Sequence, residues 1–155
     1  MSKNTILHSA ARVKDDEFYT QLKDVENELK HYVNHFIGKT IYCNCDDYRW
    51  SNIYKHLRDN FSNYGLKKLI ATHYLEQDIF GESESPKKIV VELVNGEIVE
   101  KITDLKGDGD FRSEECVDIL KSSDIVITNP PFSLFRDFIS VLVDHCYWKL
   151  SIYWV

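Results

Sequence analysis

A chain of 155 residues, 43% hydrophobic and 28% charged, has the composition of one ordinary soluble globular domain, and it carries no repeat or low-complexity stretch. Its formal net charge of −6 argues against strong nucleic-acid binding by this segment alone, because phosphate contacts need clustered Lys and Arg. No apolar run is long enough to span a membrane, and residues 1–11 lack the apolar core of a signal peptide, so the four cysteines (Cys43, Cys45, Cys116 and Cys146) are expected as reduced thiols in the cytoplasm.

The first predicted element is an N-terminal helix within residues 14–37. Leu22, Val25, Leu29, Tyr32 and Phe36 recur at spacings of three and four, Asp15 and Asp16 can cap its start, and Gly38 can end it. A short β-prone run follows over residues 40–45 and stops at Asp46-Asp47. Ser51 begins a second helix with Tyr54, Leu57, Phe61 and Tyr64 as its stripe, and Gly65 sits where a helix C-cap belongs. Residues 66–73 read as another buried strand.

Residues 87–103 break the alternation. Ile89, Val91 and Leu93 precede Asn95-Gly96, and Ile98 and Ile102 follow it, which is the pattern of an antiparallel hairpin inserted into a βα sequence. Ser113 caps a short helix holding Val117 and Leu120, and Ile125-Val126-Ile127 is a β-branched strand. A last helix is expected from about Leu134, with Phe135, Phe138, Ile139, Leu142 and Val143 on its inner face. Residues 146–155 form an atypical tail in which Tyr147, Lys149, Ser151 and Tyr153 alternate with Trp148, Leu150, Ile152 and Trp154, a pattern that suits one further strand. The order α-β-α-β-hairpin-α-β-α predicts a doubly wound α/β fold with a parallel sheet. Ligands in such folds sit beyond the carboxyl ends of the strands, where residues 45–47, 72–74 and 128–132 would fall.

Asn129-Pro130-Pro131-Phe132 follows the last of those strands directly. Two prolines force a rigid loop, because they can neither continue a strand nor fill a helix interior. The Asn129 side-chain oxygen and the Pro130 carbonyl are two acceptors, and Phe132 is a flat apolar face. Those parts suit an exocyclic amine whose lone pair is delocalised into a purine. Binding both N–H groups draws the nitrogen toward tetrahedral geometry and frees the lone pair to attack a sulfonium methyl. Phe132 can stack on a base turned out of the duplex, and catalysis is mostly positioning. The alternative for this loop is a plain strand-terminating turn.

The motifs together resemble the EcoRI-type adenine-specific DNA methyltransferases. They are Asp16-Glu17-Phe18-Tyr19-Thr20, residues 42–47 (Tyr-Cys-Asn-Cys-Asp-Asp), Ser51-Asn52, Gly109-Asp110-Phe111-Arg112-Ser113 and Ile127-Thr128-Asn129-Pro130-Pro131-Phe132-Ser133, in the family's order from about Lys14 to His145. The resemblance implies a partial Rossmann-like methyltransferase fold with S-adenosyl-L-methionine as cofactor. It also implies double-stranded DNA, reached through a flipped adenine, as the substrate of the complete enzyme, in a restriction-modification setting or as a phage or orphan methylase. It further implies that Asn44, Asp46 and Asp47 form the cofactor turn in place of a Gly-rich one, that Cys45, Asp46 and Asp47 bind the cofactor, and that a carboxylate there accepts from the methionyl amine. Asp110 would accept from the cofactor's adenine amine and Phe111 would pack on that ring, while Phe18 and Tyr19 would wall the methionine end. Asn129 would lie close to the cofactor as well as to the target amine. A ribose-binding acid usually ends the second strand of such enzymes, and here that tip reads Thr72-His73-Tyr74, with no carboxylate until Glu76.

Two metal-like pairs, Cys43/Cys45 on one strand face and His31/His35 one helical turn apart, lack partner pairs at zinc-site spacing, so no metal is expected. The whole chain is expected to be one incomplete catalytic domain lacking the last strands of the family sheet and its basic DNA-reading region. Self-association through an open sheet edge is the associated expectation. The competing readings are a non-catalytic remnant and an amino-methyltransferase acting on RNA or on a protein glutamine.

Overall fold

The computed structural model describes residues 21–75, 84–146 and 151–154. Phe18, Tyr19, Glu76 and the caps expected at Asp15 and Asp16 lie outside the described residues. The described elements, in chain order, are α1 (Leu22–Leu29), α2 (Val33–Phe36), β1 (Thr40–Cys43), α3 (Asn52–Asp59), β2 (Lys68–Thr72), β3 (Lys87–Val94), β4 (Glu97–Asp104), α4 (Glu114–Ser122), β5 (Ile125–Thr128), a 3₁₀ turn (Phe132–Leu134), α5 (Phe135–Cys146) and β6 (Ser151–Trp154).

The six strands form one mixed sheet in the order β4-β3-β2-β1-β5-β6. Its centre is parallel: β1 pairs with β2 (Ile41 opposite Leu69) and with β5 (Ile41 opposite Ile125). β6 extends that part in parallel, with Val126 opposite Ile152, so the tail contributes a strand beside β5. The hairpin joins the other edge, where β3 runs antiparallel to β2. Asn95 (φ 53°) and Gly96 (φ 85°) occupy the left-handed conformations that a tight two-residue hairpin turn requires.

Buried strands alternate side chains between two apolar layers. On one face, Ile41 and Cys43 of β1, Leu69 and Ala71 of β2 and Ile125 and Ile127 of β5 pack against Val25 and Leu29 of α1, Phe36 of α2 and Ile53, Tyr54 and Leu57 of α3. On the other, Tyr42, Ile70 and Val126 meet Leu120 of α4 and Phe138 and Leu142 of α5. Helices thus cover both faces of the parallel centre, as parallel strands require. Ser51 and Ser113 cap α3 and α4, accepting from the backbone N–H of Tyr54 (3.1 Å) and Cys116 (3.4 Å).

Three local expectations are corrected. The single helix expected up to Phe36 is interrupted at Lys30–Tyr32, where His31 and Tyr32 donate to carbonyls three residues back (Glu28 and Leu29). A stripe at three- and four-residue spacing survives that exchange of hydrogen bonds, so periodicity does not register it. On α5, Phe135 and Val143 are exposed, whereas Phe138 and Leu142 are buried. The preceding 3₁₀ turn carries Leu134, not Phe135, to the core, which rotates the buried line. Cys43 and Cys45 do not share a face: β1 ends at Cys43, and Cys45 packs against the opposite layer.

Candidate active site

The carboxyl ends of β1, β2 and β5 open into a cavity of about 650 Å³, inside the range of small-molecule and cofactor pockets. Of the residues singled out from sequence, Cys45, Asp46, Asp47, Asp110, Phe111, Asn129, Pro130, Pro131 and Phe132 all line it. It is also lined by Asn44, His73, Tyr74 and Trp50, which the motif reading did not assign to binding or catalysis, apart from placing Asn44 in the β1 turn.

Asp46, at the tip of β1, is buried and accepts from Ser51 Oγ (2.7 Å) and Thr128 Oγ1 (2.6 Å). The Asn129 backbone also bonds to it. The backbone N–H of Cys45 in turn donates to Thr128 Oγ1 at 3.2 Å. Thr128 immediately precedes Asn129, so this network ties the β1 turn to the base of the Asn-Pro-Pro-Phe loop. Burial raises the Asp46 carboxyl to about 6, outweighing the hydrogen bonds that lower it. Its oxygens are committed within the protein, so its immediate action is on the loop.

Asp47 differs. Burial tends to raise its carboxyl, but the Arg49 guanidinium and backbone hold it below the ordinary range, with Arg49 Nη2 2.8 Å from Oδ2. Asp110 is likewise held low by Arg112, whose Nη2 lies 2.6 Å from Oδ2. Phe111 reaches the cavity wall, but it is buried edge-on against Phe138 (5.3 Å between ring centroids), and the Arg112 guanidinium sits 5.2 Å over its ring. Burial raises the thiols of Cys43 and Cys45 above their usual value, so neither is a thiolate at neutral pH. No group of three or more acidic, His or Cys side chains able to hold a metal occurs among the described residues.

On the opposite wall the loop is open. Pro130 is buried and anchors it, whereas Phe132 is 73% exposed. Trp50 and Tyr74 are also exposed, so three aromatic faces line the same cavity. Two buried polar groups on the wall make no hydrogen bond among the described residues: Asn44 Oδ1 and the ring nitrogens of His73, whose Nε2 faces the Asp47 carboxylate at 3.5 Å. Buried polar atoms left without partners are uncommon, and here they lie where a polar ligand would supply them.

The structure is thus a mixed α/β sheet with a cavity at its parallel strand tips, bordered by the Asn-Pro-Pro-Phe loop and its exposed aromatic ring. The comparisons identify the class. The profile of the family described as adenine-specific methyltransferase EcoRI matches residues 6–150, and the chain belongs to that family. It is 49% identical over 150 residues to the Type II methyltransferase M.EcoRI of Escherichia coli, covering 92% of this chain and 46% of that relative. It is 41% identical to M.MgeORF184P of Mycoplasma genitalium and 39% identical to M.MpnI of Mycoplasma pneumoniae, both Type II methyltransferases, over 88% of this chain and 40% of each relative. The chain therefore spans less than half the length of these relatives. No solved structure matches it.

Sequence reasoning assembled most of this wall because its motifs are contiguous. It placed His73 at the tip of β2 without giving it a part in the site, and it left out the Asp46–Thr128 tie and the unpartnered Asn44 Oδ1. The available signal for His73 and Thr128 was their position as the residues at the tips of β2 and β5.

Proposed function

We propose that this chain is the cofactor-facing and catalytic portion of an adenine-specific DNA methyltransferase with a Rossmann-like fold. In this reading it transfers the methyl of S-adenosyl-L-methionine to the exocyclic amine of a flipped adenine. The observation that carries the reading is the single cavity joining Asn129–Phe132 to Asp46, Asp47 and Asp110. The family and the names of its relatives support a DNA substrate in a restriction-modification setting.

The residues present fit this cofactor. The orphaned Asn44 Oδ1 is an acceptor for the methionyl amine, beside the Asp47 carboxylate. Asp110 is ionised and suited to an adenine amine. When bound, the cofactor supplies an electrophilic sulfonium methyl. Asn129 and the Pro130 carbonyl accept from the target amine and hold its lone pair in line, and Phe132 stacks on the base. Asp46 holds the register of that loop. The net charge of −6 is compatible with DNA as substrate if the relatives' remaining length carries the phosphate-binding surface.

Tritium transfer from labelled cofactor to DNA, RNA and protein acceptors tests the reading. Label in adenine of DNA is expected, and label found solely in protein or RNA would replace this reading by the corresponding acceptor. Self-association belongs to the same proposal: the sheet's outer strands are β4 and β6, and pairing at such an edge would appear as a mass that grows with concentration in light scattering.

A further inference from the structure

Thr128 ends the β-branched run of β5 and is fully buried, yet it carries a hydroxyl where a valine would fill the same space without needing partners. Both capacities of that hydroxyl are in use. It donates to Asp46 Oδ2 (2.6 Å) and accepts from the backbone N–H of Cys45 (3.2 Å). Both partners belong to the turn after β1. Asp46 is itself a fixed post: its N–H donates to the Thr72 carbonyl of β2 (3.1 Å), and its Oδ1 accepts from Ser51 Oγ (2.7 Å) at the start of α3. One side chain of β5 is therefore tied to a point that β1, β2 and α3 hold together.

The backbone ladder stops short of this point. β1 pairs with β5 at Ile41–Ile125 and Tyr42–Val126, two residues before Thr128. Past that rung the two tips are joined through the Asp46 carboxylate, by the Thr128 hydroxyl and the Asn129 backbone. What displaces Thr128 also displaces the loop. Asn129 is next in the chain, and the locked φ of Pro130 and Pro131 passes a shift onward instead of absorbing it.

In the proposed reaction the two tips hold opposite reactants. The β1 turn faces the methyl donor, and Asn129 with the Pro130 carbonyl holds the target amine. Transfer requires the amine nitrogen and the methyl carbon in line and about 3–3.5 Å apart. Thr128 itself does not line the cavity, so it acts through its neighbours. We propose that Thr128 is a positioning residue of this reaction: its hydroxyl, bonded to Asp46 and to the Cys45 N–H, sets the separation between the donor turn and the amine-binding loop. This inference rests on the methyl-transfer reading above.

Single-turnover tritium transfer to DNA by the full chain, run well below its melting temperature, tests it. Thr128→Val keeps the shape and removes the hydroxyl. It should slow transfer per folded molecule about a hundredfold, with the affinities for DNA and for S-adenosylhomocysteine each within about twofold of wild type. Thr128→Ser restores the hydroxyl and should stay within about threefold of the wild-type rate. In an Asn129→Ala background, Thr128→Val should add less than about threefold, because its effect passes through that residue. A wild-type rate in Thr128→Val, whatever its melting temperature, confines the hydroxyl to stability and overturns the inference. A hundredfold loss in Thr128→Ser overturns it too, and can be read even if the valine variant does not fold. A Thr128→Val loss that lies in ligand affinity instead of rate, or that multiplies with the loss from Asn129→Ala, has the same consequence. Each of these outcomes leaves the methyl-transfer reading intact. A folded wild type that transfers label to no acceptor removes that reading, and the inference with it.

Discussion

The tips of β1 and β5 lie side by side and are built in opposite ways. At the β1 tip Asp46 is buried and its carboxylate oxygens are occupied by Ser51, Thr128 and the Asn129 backbone. At the β5 tip, four residues beyond Thr128, Phe132 stands 73% exposed. A saturated carboxylate fixes position, and an uncovered aromatic face awaits an occupant. Under the proposed function the same short distance separates a group that serves the protein from one that would serve a substrate, and substitutions should divide accordingly between stability and turnover.

The sharpest way to break that division is Asn129→Ala, measured in a form of the enzyme with methyl-transfer activity. Removing one positioned partner of the reacting amine should slow single-turnover transfer by about two to three orders of magnitude, with cofactor affinity little changed. A wild-type rate in this variant would make the loop a mere turn.

The next effect lies on the β1 side and shows in stability. Asp46 is raised in the folded protein to about 6 from its ordinary 3.8. The folded state therefore holds the proton more tightly than the unfolded chain does. Stability from this group is fully present below about pH 4 and is lost as pH rises through about 6, up to about 3 kcal/mol in total. Urea titrations from pH 4 to 7.5 should show this component in the wild type and not in Asp46→Asn. Identical pH profiles for the two proteins would show that Asp46 does not titrate as its burial demands.

Phe132→Ala should cost about 1–3 kcal/mol in capture of the target base, read from DNA affinity or KM, because one stacking face is lost. Its melting temperature should stay within a degree or two, since the ring covers no core, and Phe132→Tyr should be tolerated. A Phe132→Ala protein that melts much earlier would assign the ring to the fold. The smallest expected effect is that of Ser51→Ala, at about 1 kcal/mol of stability, because one hydroxyl both caps α3 and donates to Asp46. If it slows methyl transfer more than it lowers stability, the two tips are less separable than their hydrogen bonds imply.

Much of the fold was legible because its signals are local. Asn95-Gly96 states its own turn, Ser51 and Ser113 state their caps, and the β-branched run ending at Thr128 states a strand. The illegible features are those that depend on partners distant in sequence or on exact hydrogen-bond register. Nothing beside Asp46 reveals that Thr128, 82 residues later, will donate to it. His73 reads as a strand-end residue until the cavity and the unpaired nitrogens are seen together. The interruption at Lys30–Tyr32 and the exposure of Phe135 escape periodicity, since a shift between three- and four-residue bonding leaves an apolar stripe in place while turning it.

The pairing of β1 with β5 has a consequence in time. β3 and β4 meet across a two-residue turn and can zip within microseconds, whereas Ile41 must find Ile125 across the whole intervening chain. Loop-closure entropy makes that contact a late one. The Asp46–Thr128 bond and the loop it steadies exist only after this closure. A growing or partly unfolded chain can therefore display its hairpin long before it has any cavity, and under the proposed function affinity for the methyl donor would report on whether the last central strand has been laid down.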